Sequence, residues 1–542
     1  MSARYRLLRE DLPDFQASGQ GLFETEPKKI RAWIESLPRA NAAAAQQQLR
    51  QALESIAAQK LSGGSRLAAL EELRAAVLEQ CRLLENSYST SPLPLPAEQA
   101  RAASSAEIFH LLLAHSYRQA VHDLCAPSGS VPFLRGGAVA QALARSAQHY
   151  ARSLALAWRI YHPARPKAWQ GLHRIYRFAA ELKLDGKAVE DPVLGLSGNR
   201  SVADTYLQCL LVAITNPYGY VPAEQDAMWS LVCAYFGRCG LHAKLPYDNA
   251  PVVPDDADHG PGMSRDDEAG SLWIDLRPFI GDVEQAQARL KDGFADLVPG
   301  RGASLRLSED ELVRLRRAFG LLAARRHARL PGGYGIDSVV GLSALHFYLS
   351  GQRDFETFLR ETNQGQVHVN DRASWASGGG DAQRLPRIPA QVMDQSLGGY
   401  RVVWRSAEQA RIRVGELVGL SFADPDEVPE WMVGIVRWLR YEIDGRLSAG
   451  IELLSRRSAP VALRAGTQVS NAPLRAVELS LAEGERRFLA PAALDGHAER
   501  IDVVLAGEPG KPDSVARQSI EHYRMTLNTG EYVLLQTAGA AA

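Results

Sequence analysis

Apolar side chains recur at three- and four-residue intervals through roughly the first 245 residues, and that period is lost in the last two hundred. In "SRLAALEELRAAVLEQCRLLEN", Leu67, Leu70, Leu73, Val77, Cys81 and Leu84 fall on one helical stripe. "NAAAAQQQLRQALESIAAQ" is made of strong helix formers. "STSPLPLPAEQA" breaks the run with three prolines. The helical period then resumes in "AEIFHLLLAHSYRQAVHDL", "AVAQALARSAQHYARSLALAWRIYHP" and "SVADTYLQCLLVAITNP". These patterns predict an N-terminal all-α domain over 1–247, either a bundle or an irregular solenoid, with no repeat of fixed period.

The stretch 248–271, "DNAPVVPDDADHGPGMSRDDEAGS", is rich in Pro, Gly and Asp and reads as an acidic linker or exposed loop. A connecting segment, 272–330, follows. It opens on a strand-like "SLWIDLRPFI" and carries a helix over 308–328. Ser308 and Glu311 make a capping box at that helix's start, and Leu312, Leu315, Phe319 and Leu322 form its apolar stripe. Beyond 335 the segments become short, rich in Val, Ile and aromatics, and separated by Gly, Pro and Asp. "DSVVGLSALHFYLS", "RIPAQVMDQS", "GYRVVWRS", "RVGELVGLSF", "EWMVGIVRWLRYEID" and "RLSAGIELLS" together predict an antiparallel barrel or sandwich over 331–465. A polar insertion occupies 353–383. A β-rich extension over 466–542 follows from "RAVELS", "RIDVVLAG" and "EYVLLQTA", with a turn at "NTGEY"; it is either more barrel or a small extra domain. The fold class is therefore multidomain α+β: helices first, then an antiparallel β-barrel, then further strands.

At 542 residues the chain exceeds one core. Lys and Arg number 61 against 62 Asp and Glu, so no global field recruits nucleic acid or an anionic membrane, and an anion site must be local. The start, "MSARYRLLREDLPDF", has no apolar signal region, and no apolar run reaches the ~20 residues of a membrane span. Cys81, Cys125, Cys209, Cys233 and Cys239 lie far apart without a CxxC pair, as reduced thiols of a cytoplasmic protein do.

Catalytic signatures are absent. "GLSG" at 195–198 lacks the G-x-S-x-G context. Asp258 and His259 adjoin within the acidic loop without an evident partner. His346, on what reads as an apolar strand, is a packed histidine before it is a base. Trp158, Trp169 and Tyr176 read as core or groove aromatics. No H-E-x-x-H, phosphate loop or Cys/His metal spacing occurs, so we expect no enzyme, no metal and no cofactor.

Two short stretches carry candidate binding chemistry. "RRHARLP" gathers Arg325, Arg326 and Arg329 at the end of the 308–328 helix. Cations suit a helix C-terminus, so a solvated helix end is the ordinary reading. "DQSLGGY" places Asp394, Ser396 and Gly399 at a strand-to-turn junction, a composition any turn uses. Taken in order, the two stretches and the strands around them say more. An R-x-x-x-R pair (Arg325, Arg329), a strand, D-x-S-x-x-G (Asp394, Ser396, Gly399), then strands ending in "SAGIELL" resemble the PilZ domain, a small β-barrel receptor for cyclic di-GMP.

The resemblance covers about 320–465. It implies cyclic di-GMP as ligand and Arg325, Arg329, Asp394, Ser396 and Gly399 as its site, with Arg326 a third contact or a solvated neighbour. A rival pair, Arg384 and Arg387, lies nearer the second motif but at the wrong spacing. The chemistry fits the ligand: arginine's planar fork pairs with phosphate or with guanine O6 and N7. An ionised aspartate accepts from guanine's N1–H and N2–H. The function implied is a cytoplasmic receptor that couples nucleotide binding at the barrel to a helical domain and an unidentified protein partner. The alternative is a degenerate, ligand-free scaffold acting only through protein contacts.

Overall fold

The apolar stripe from Leu67 to Cys81 is buried along one long helix, Gly63–Tyr88, with Leu70, Leu73 and Val77 fully shielded. The structure, a computed structural model, describes residues 2–15, 22–195, 200–262, 270–291, 293–299, 304–320, 328–363, 385–422, 430–465, 473–481, 486–494, 500–505 and 516–537. The chain divides into two units. One comprises 1–289, 296–306 and 314–324; the other comprises 290–295, 307–313 and 325–542.

The first unit holds α1 (Ala3–Leu7), α2 (Pro27–Glu35), α3 (Ala42–Ala58), α4 (Gly63–Tyr88), α5 (Ala97–Leu124), α6 (Gly136–Arg159), α7 (Ala168–Glu181), α8 (Val202–Ile214) and α9 (Pro222–Leu231). Helices α4, α5 and α6 pack in succession, and α7 and α8 lie against α6. Trp158, Trp169 and Tyr176 are buried in this core.

The core also encloses charge. Arg74 on α4 and Arg145 on α6 are fully buried, as is Asp191, which accepts from Arg74 at 2.8 and 2.6 Å and lies 3.1 Å from Arg145. The Arg74 Nε donates to His149 Nε2 at 3.3 Å, which leaves His149 Nδ1 to donate to His110 Nδ1 at 3.0 Å. Desolvation, reinforced by the nearby arginines, holds both imidazoles far below the ordinary histidine range, His110 at about 3. Four of the five cysteines are buried, and all five are free thiols.

The segment from 248 to 262 is not an exposed linker. Asp256 accepts from Arg174 at 2.6 Å, and Asp255 pairs with Arg4 at 3.0 Å and Arg177 at 3.3 Å. Asp258, expected to lack partners, accepts from the backbone N–H groups of Lys167 and Gln170 at 2.6 and 3.3 Å. Lys167, the residue before α7, cannot cap the helix itself, so Asp258 does so from a distant part of the chain. Charge content alone suggested solvent; ion pairing to arginines on α1 and α7 overrides it. Strands β1 (Gly240–His242), β2 (Val252–Val253) and β3 (Leu272–Asp275) form a small sheet in the order β1-β3-β2. "SLWIDLRPFI" is thus a strand only as far as Asp275, and α10 (Arg277–Ala288) follows.

β4 (Phe294–Leu297) pairs with β5 (Leu305–Ser308), which runs into α11 (Glu309–Gly320). The capping box is present: Ser308 N donates to Glu311 Oε2 at 2.7 Å, and Glu311 N donates to Ser308 Oγ at 3.3 Å. Leu312, Leu315 and Phe319 are buried, while Leu322 and the predicted extension of the helix to 328 lie outside the described residues.

In the second unit β6 (Leu330–Pro331), β7 (Gly335–Val340), β8 (Ile388–Ser396), β9 (Gly399–Trp404), β10 (Leu417–Ser421), β11 (Met432–Tyr441) and β12 (Leu447–Ser455) form one antiparallel sheet, ordered β6-β8-β7-β10-β11-β12-β9. An additional β8–β9 pairing closes it into a barrel. Its interior is packed by Val392, Val402, Trp404, Leu447 and Ala449, and the Trp404 N–H donates to Ser338 Oγ at 2.8 Å.

Two expectations fail here. "GLSALHFYLS" is not strand: after β7 the chain turns at Gly341 (φ 85°) into α12 (Gly341–Leu349). A short, nearly all-apolar run fits either state, and burial on two sides selected the helix. His346 therefore sits on a helix, against the edges of Phe355 and Phe358, with burial pushing its imidazole down to about 3. The insertion begins as α13 (Phe355–Asn363), and 364–384 lies outside the described residues.

Strand β13 (Arg457–Ala465), expected in the barrel, belongs to a second sheet instead. With β14 (Leu474–Ser480), β15 (Arg486–Pro491), β16 (Ile501–Leu505), β17 (Ala516–Ile520), β18 (Tyr523–Asn528) and β19 (Tyr532–Thr537), it makes seven antiparallel strands ordered β17-β16-β13-β14-β15-β19-β18. Ser455 turns the chain there, its Oγ bonding to the Arg457 and Ser480 carbonyls. Ala344 and Leu345 of α12 pack with Val433 and Ile435 of the barrel and with Val477, Leu489 and Leu534 of the second sheet, so the two sheets share one core.

Candidate ligand-binding site

β6 is two residues long, yet it decides the site. Leu330 pairs with Gln395 and Pro331 with Asp394, so the chain just before β6 arrives beside the end of β8. Arg329 Nη1 stands 3.1 Å from Asp394 Oδ1. The two motif halves, 65 positions apart, are thus joined by an ion pair between partly exposed side chains.

Ser396 and Gly399 face each other across the β8–β9 hairpin, and Ser396 Oγ reaches the Gly399 carbonyl at 3.4 Å. Gly399 has a packing reason to be glycine. A Cβ there would stand 2.0 Å from the Ile451 carbonyl oxygen on β12, so neighbouring backbone occupies the space a side chain needs. Arg325 and Arg326 lie outside the described residues, as does Arg384. Arg387 is at the opposite end of β8, on the order of 20 Å from Asp394 at ~3.3 Å per residue. There its guanidinium lies 5.0 Å from the Tyr348 ring centroid and 3.9 Å from the Asp337 carboxylate.

A residue that motif reading missed is Arg401. The hairpin that opposes Ser396 to Gly399 opposes Asp394 to Arg401. Counting back from the turn in steps of two would have found it. On the same outer surface Arg437 forms a triad, 2.6 Å from Glu452 and 3.1 Å from Asp310 at the start of α11. Of "GLSG", only Gly195 lies within the described residues. Among those residues no cluster of His, Cys, Asp and Glu could hold a metal ion, and no helix is long and apolar enough to cross a membrane.

Family models for the cyclic-di-GMP receptor FimW match most of this chain: its N-terminal domain model over 28–246, and its middle PilZ domain model over 263–384 and 368–460. The chain belongs to the PilZ-domain family. The cyclic-di-GMP receptor FimW of Pseudomonas aeruginosa is 26% identical to it, over 90% of this chain and 87% of that protein. No solved structure matches. The PilZ match extends back through α10 and α11, which the sequence had suggested were a connector, and it stops before most of the second sheet.

Proposed function

We propose that this chain is a cytoplasmic cyclic di-GMP receptor, without catalytic activity of its own, whose ligand engages Arg325, Arg326 and Arg329 on one side and Asp394, Ser396 and Gly399 on the other. The observation that supports the reading is the 3.1 Å approach of Arg329 to Asp394, which brings one residue of each motif side by side. The name of the Pseudomonas aeruginosa relative supports the choice of ligand. Arg329 and Asp394 offer opposite chemistries side by side, a forked donor for phosphate and an acceptor for guanine's Watson–Crick edge.

Coupling to the helical unit runs through α11. Its first turn is tied within the barrel unit by Asp310 to Arg437, at 3.1 Å. Its second half is tied within the helical unit, by Arg314 to Glu224 at 2.9 Å and by Phe319 stacked on Phe279 at 4.2 Å. The arginine motif follows α11 in sequence, so ligand capture at Arg325 and Arg329 acts on the stretch of chain that leads into the barrel, and the helical unit presents the change to a protein partner.

Isothermal calorimetry with the full chain tests the receptor reading. Cyclic di-GMP should bind in preference to GTP, GMP and cyclic GMP, because a mononucleotide leaves part of the site unsatisfied at about 1–3 kcal/mol per buried group. Absence of heat with cyclic di-GMP, or equal affinity for GTP, would favour the ligand-free scaffold instead.

A further inference from the structure

The second sheet carries a cleft of its own, and all of its lining residues but one lie beyond position 460, where the PilZ match ends. Val461 and Leu463 of β13 and Ile501 and Val503 of β16 fill the interior of this sheet. Ala462, Arg464, Asp502 and Val504 alternate with them and so belong to the opposite face. Those four, with Leu359 of α13 and Pro473, line a cleft of about 230 Å³.

Strand register sets Arg464 opposite Asp502, and Asp502 opposite Ser519. Asp502 is already satisfied: it pairs with Arg500 at 2.9 Å and accepts from Ser519 Oγ at 2.7 Å. Arg464 is left over. Among the described residues it has no carboxylate within ion-pair distance, and its Nε, shielded from solvent, makes no hydrogen bond. A shielded N–H on a charged group is destabilising without an acceptor, and an acceptor in the cleft relieves it.

The charges select the acceptor. Arg464 and Arg500 against Asp502 leave one positive charge in excess, which a monoanion neutralises. A dianion such as phosphate would hold its second negative charge uncompensated beside Asp502. A guanidinium's fork also matches the two oxygens of a carboxylate. The remaining wall, Leu359, Pro473, Ala462 and Val504, is apolar, and the cleft exceeds the ~150 Å³ of a cavity that holds benzene.

We propose that this cleft binds a small organic monocarboxylate, with its carboxylate on Arg464 and its compact apolar body against Leu359 and Pro473. The site lies on the second sheet, apart from both nucleotide motifs, and does not depend on the receptor reading.

The test is fluorine NMR on the full-length protein with 4-fluorobenzoate, using 4-fluorobenzyl alcohol as a neutral probe of similar shape. The 4-fluorobenzoate resonance should broaden when protein is added. Unlabelled benzoate should reverse the broadening, and inorganic phosphate at the same concentration should not. The alcohol should bind wild type at least about ten-fold more weakly than the acid, and Arg464→Gln should weaken the acid by as much, the low end for a lost hydrogen bond to a charged group. Arg464→Lys, which keeps the charge without the fork, should fall between. Leu359→Glu changes the helix and not the sheet, so it serves even if Arg464→Gln fails to fold by circular dichroism. It sets a like charge at the cleft and should weaken the acid more than the alcohol. The proposal is overturned if wild type does not broaden the 4-fluorobenzoate line, if acid and alcohol bind equally, or if phosphate competes as well as benzoate. Wild-type affinity for the acid in a folded Arg464→Gln, or in Leu359→Glu, overturns it too.

Discussion

Mild acid should loosen the helical unit while leaving the barrel unit nearly unchanged. Burial holds His110 and His115 at about 3 and His173 at about 4, and it pushes His149 in the same direction. All four lie in the helical unit. Their folded pKa values fall below the ~6.5 of an unfolded imidazole, so the stability they contribute is complete above pH 6.5 and is lost as the pH drops below it. Between pH 7 and 5.5 the loss is set by the unfolded pKa, because any folded value below about 4.5 gives the same result. It is about 1.3 kcal/mol per site, at 1.36 kcal/mol per pH unit. The three histidines with values near 3 to 4 together cost about 4 kcal/mol, a large part of a typical 5–15 kcal/mol stability, and His149 adds to this.

In the barrel unit the signs oppose. His346, held at about 3, costs about 1.3 kcal/mol over the same interval. Burial, with Glu531 nearby, raises the Glu416 carboxyl from 4.5 to about 7, so its protonation below pH 7 returns about 1.5 kcal/mol to the folded state. Hydrogen exchange read by mass spectrometry at pH 7 and 5.5, corrected for intrinsic exchange, reports both units at once. Peptides from α4 to α6 should lose protection by several kcal/mol, and those from β11 and β12 by about 1 kcal/mol or less. Equal loss in both units, or unchanged protection of the helices, would refute this accounting of the buried imidazoles.

Three other outcomes follow from single substitutions. Arg329→Ala and Asp394→Ala should each weaken cyclic di-GMP binding by about 1.5–3 kcal/mol in calorimetry, the range for hydrogen bonds to charged groups, whereas Arg387→Ala should change it little because that side chain is engaged with Tyr348 and Asp337. Gly399→Ala should destabilise the barrel by about 2 kcal/mol or more in urea unfolding, since the new methyl group would overlap the Ile451 carbonyl; normal stability with selective loss of ligand would instead make Gly399 a ligand contact. Asp191→Ala should cost about 3–5 kcal/mol, because it takes the bidentate carboxylate partner from the fully buried Arg74 and one of the two carboxylates beside Arg145, and a shift below about 1 kcal/mol in the helical transition would contradict that pairing.

What could be read from the chain was whatever depends on local period. The stripe of α4, the capping box of α11 and the short Val-, Ile- and aromatic-rich runs of the barrel strands are properties of neighbouring residues, and each is present in the fold. What could not be read depends on distant partners. The acidic segment 248–262 has the composition of a solvated loop, and partners far away in sequence, Arg4, Arg174 and Arg177 with the backbone of Lys167 and Gln170, tie it to the helices. "GLSALHFYLS" is apolar enough for a strand or a helix, and the second sheet stacked against it settles the choice. The motif residues Arg329 and Asp394 were legible as a pattern, while Arg401, opposite Asp394, carries no motif and emerges only from the strand register.

The resting ion pair bears on selectivity. Arg329 and Asp394 are partly exposed, 45% and 21% by side chain, so their mutual attraction is worth at most about 1 kcal/mol and a ligand can displace it. The manner of displacement matters more than its size. A simple phosphate that takes Arg329 leaves the Asp394 carboxylate unpaired beside a second anion, and the repulsion opposes binding. A guanine that donates to Asp394 without bringing a phosphate leaves Arg329 unpaired in turn. Only a ligand that brings an anion and a pair of N–H donors together, at the separation fixed by the β6–β8 register, satisfies both residues at once. Under the receptor reading, the pair therefore disfavours inorganic phosphate and unphosphorylated guanosine relative to a ligand that carries both groups.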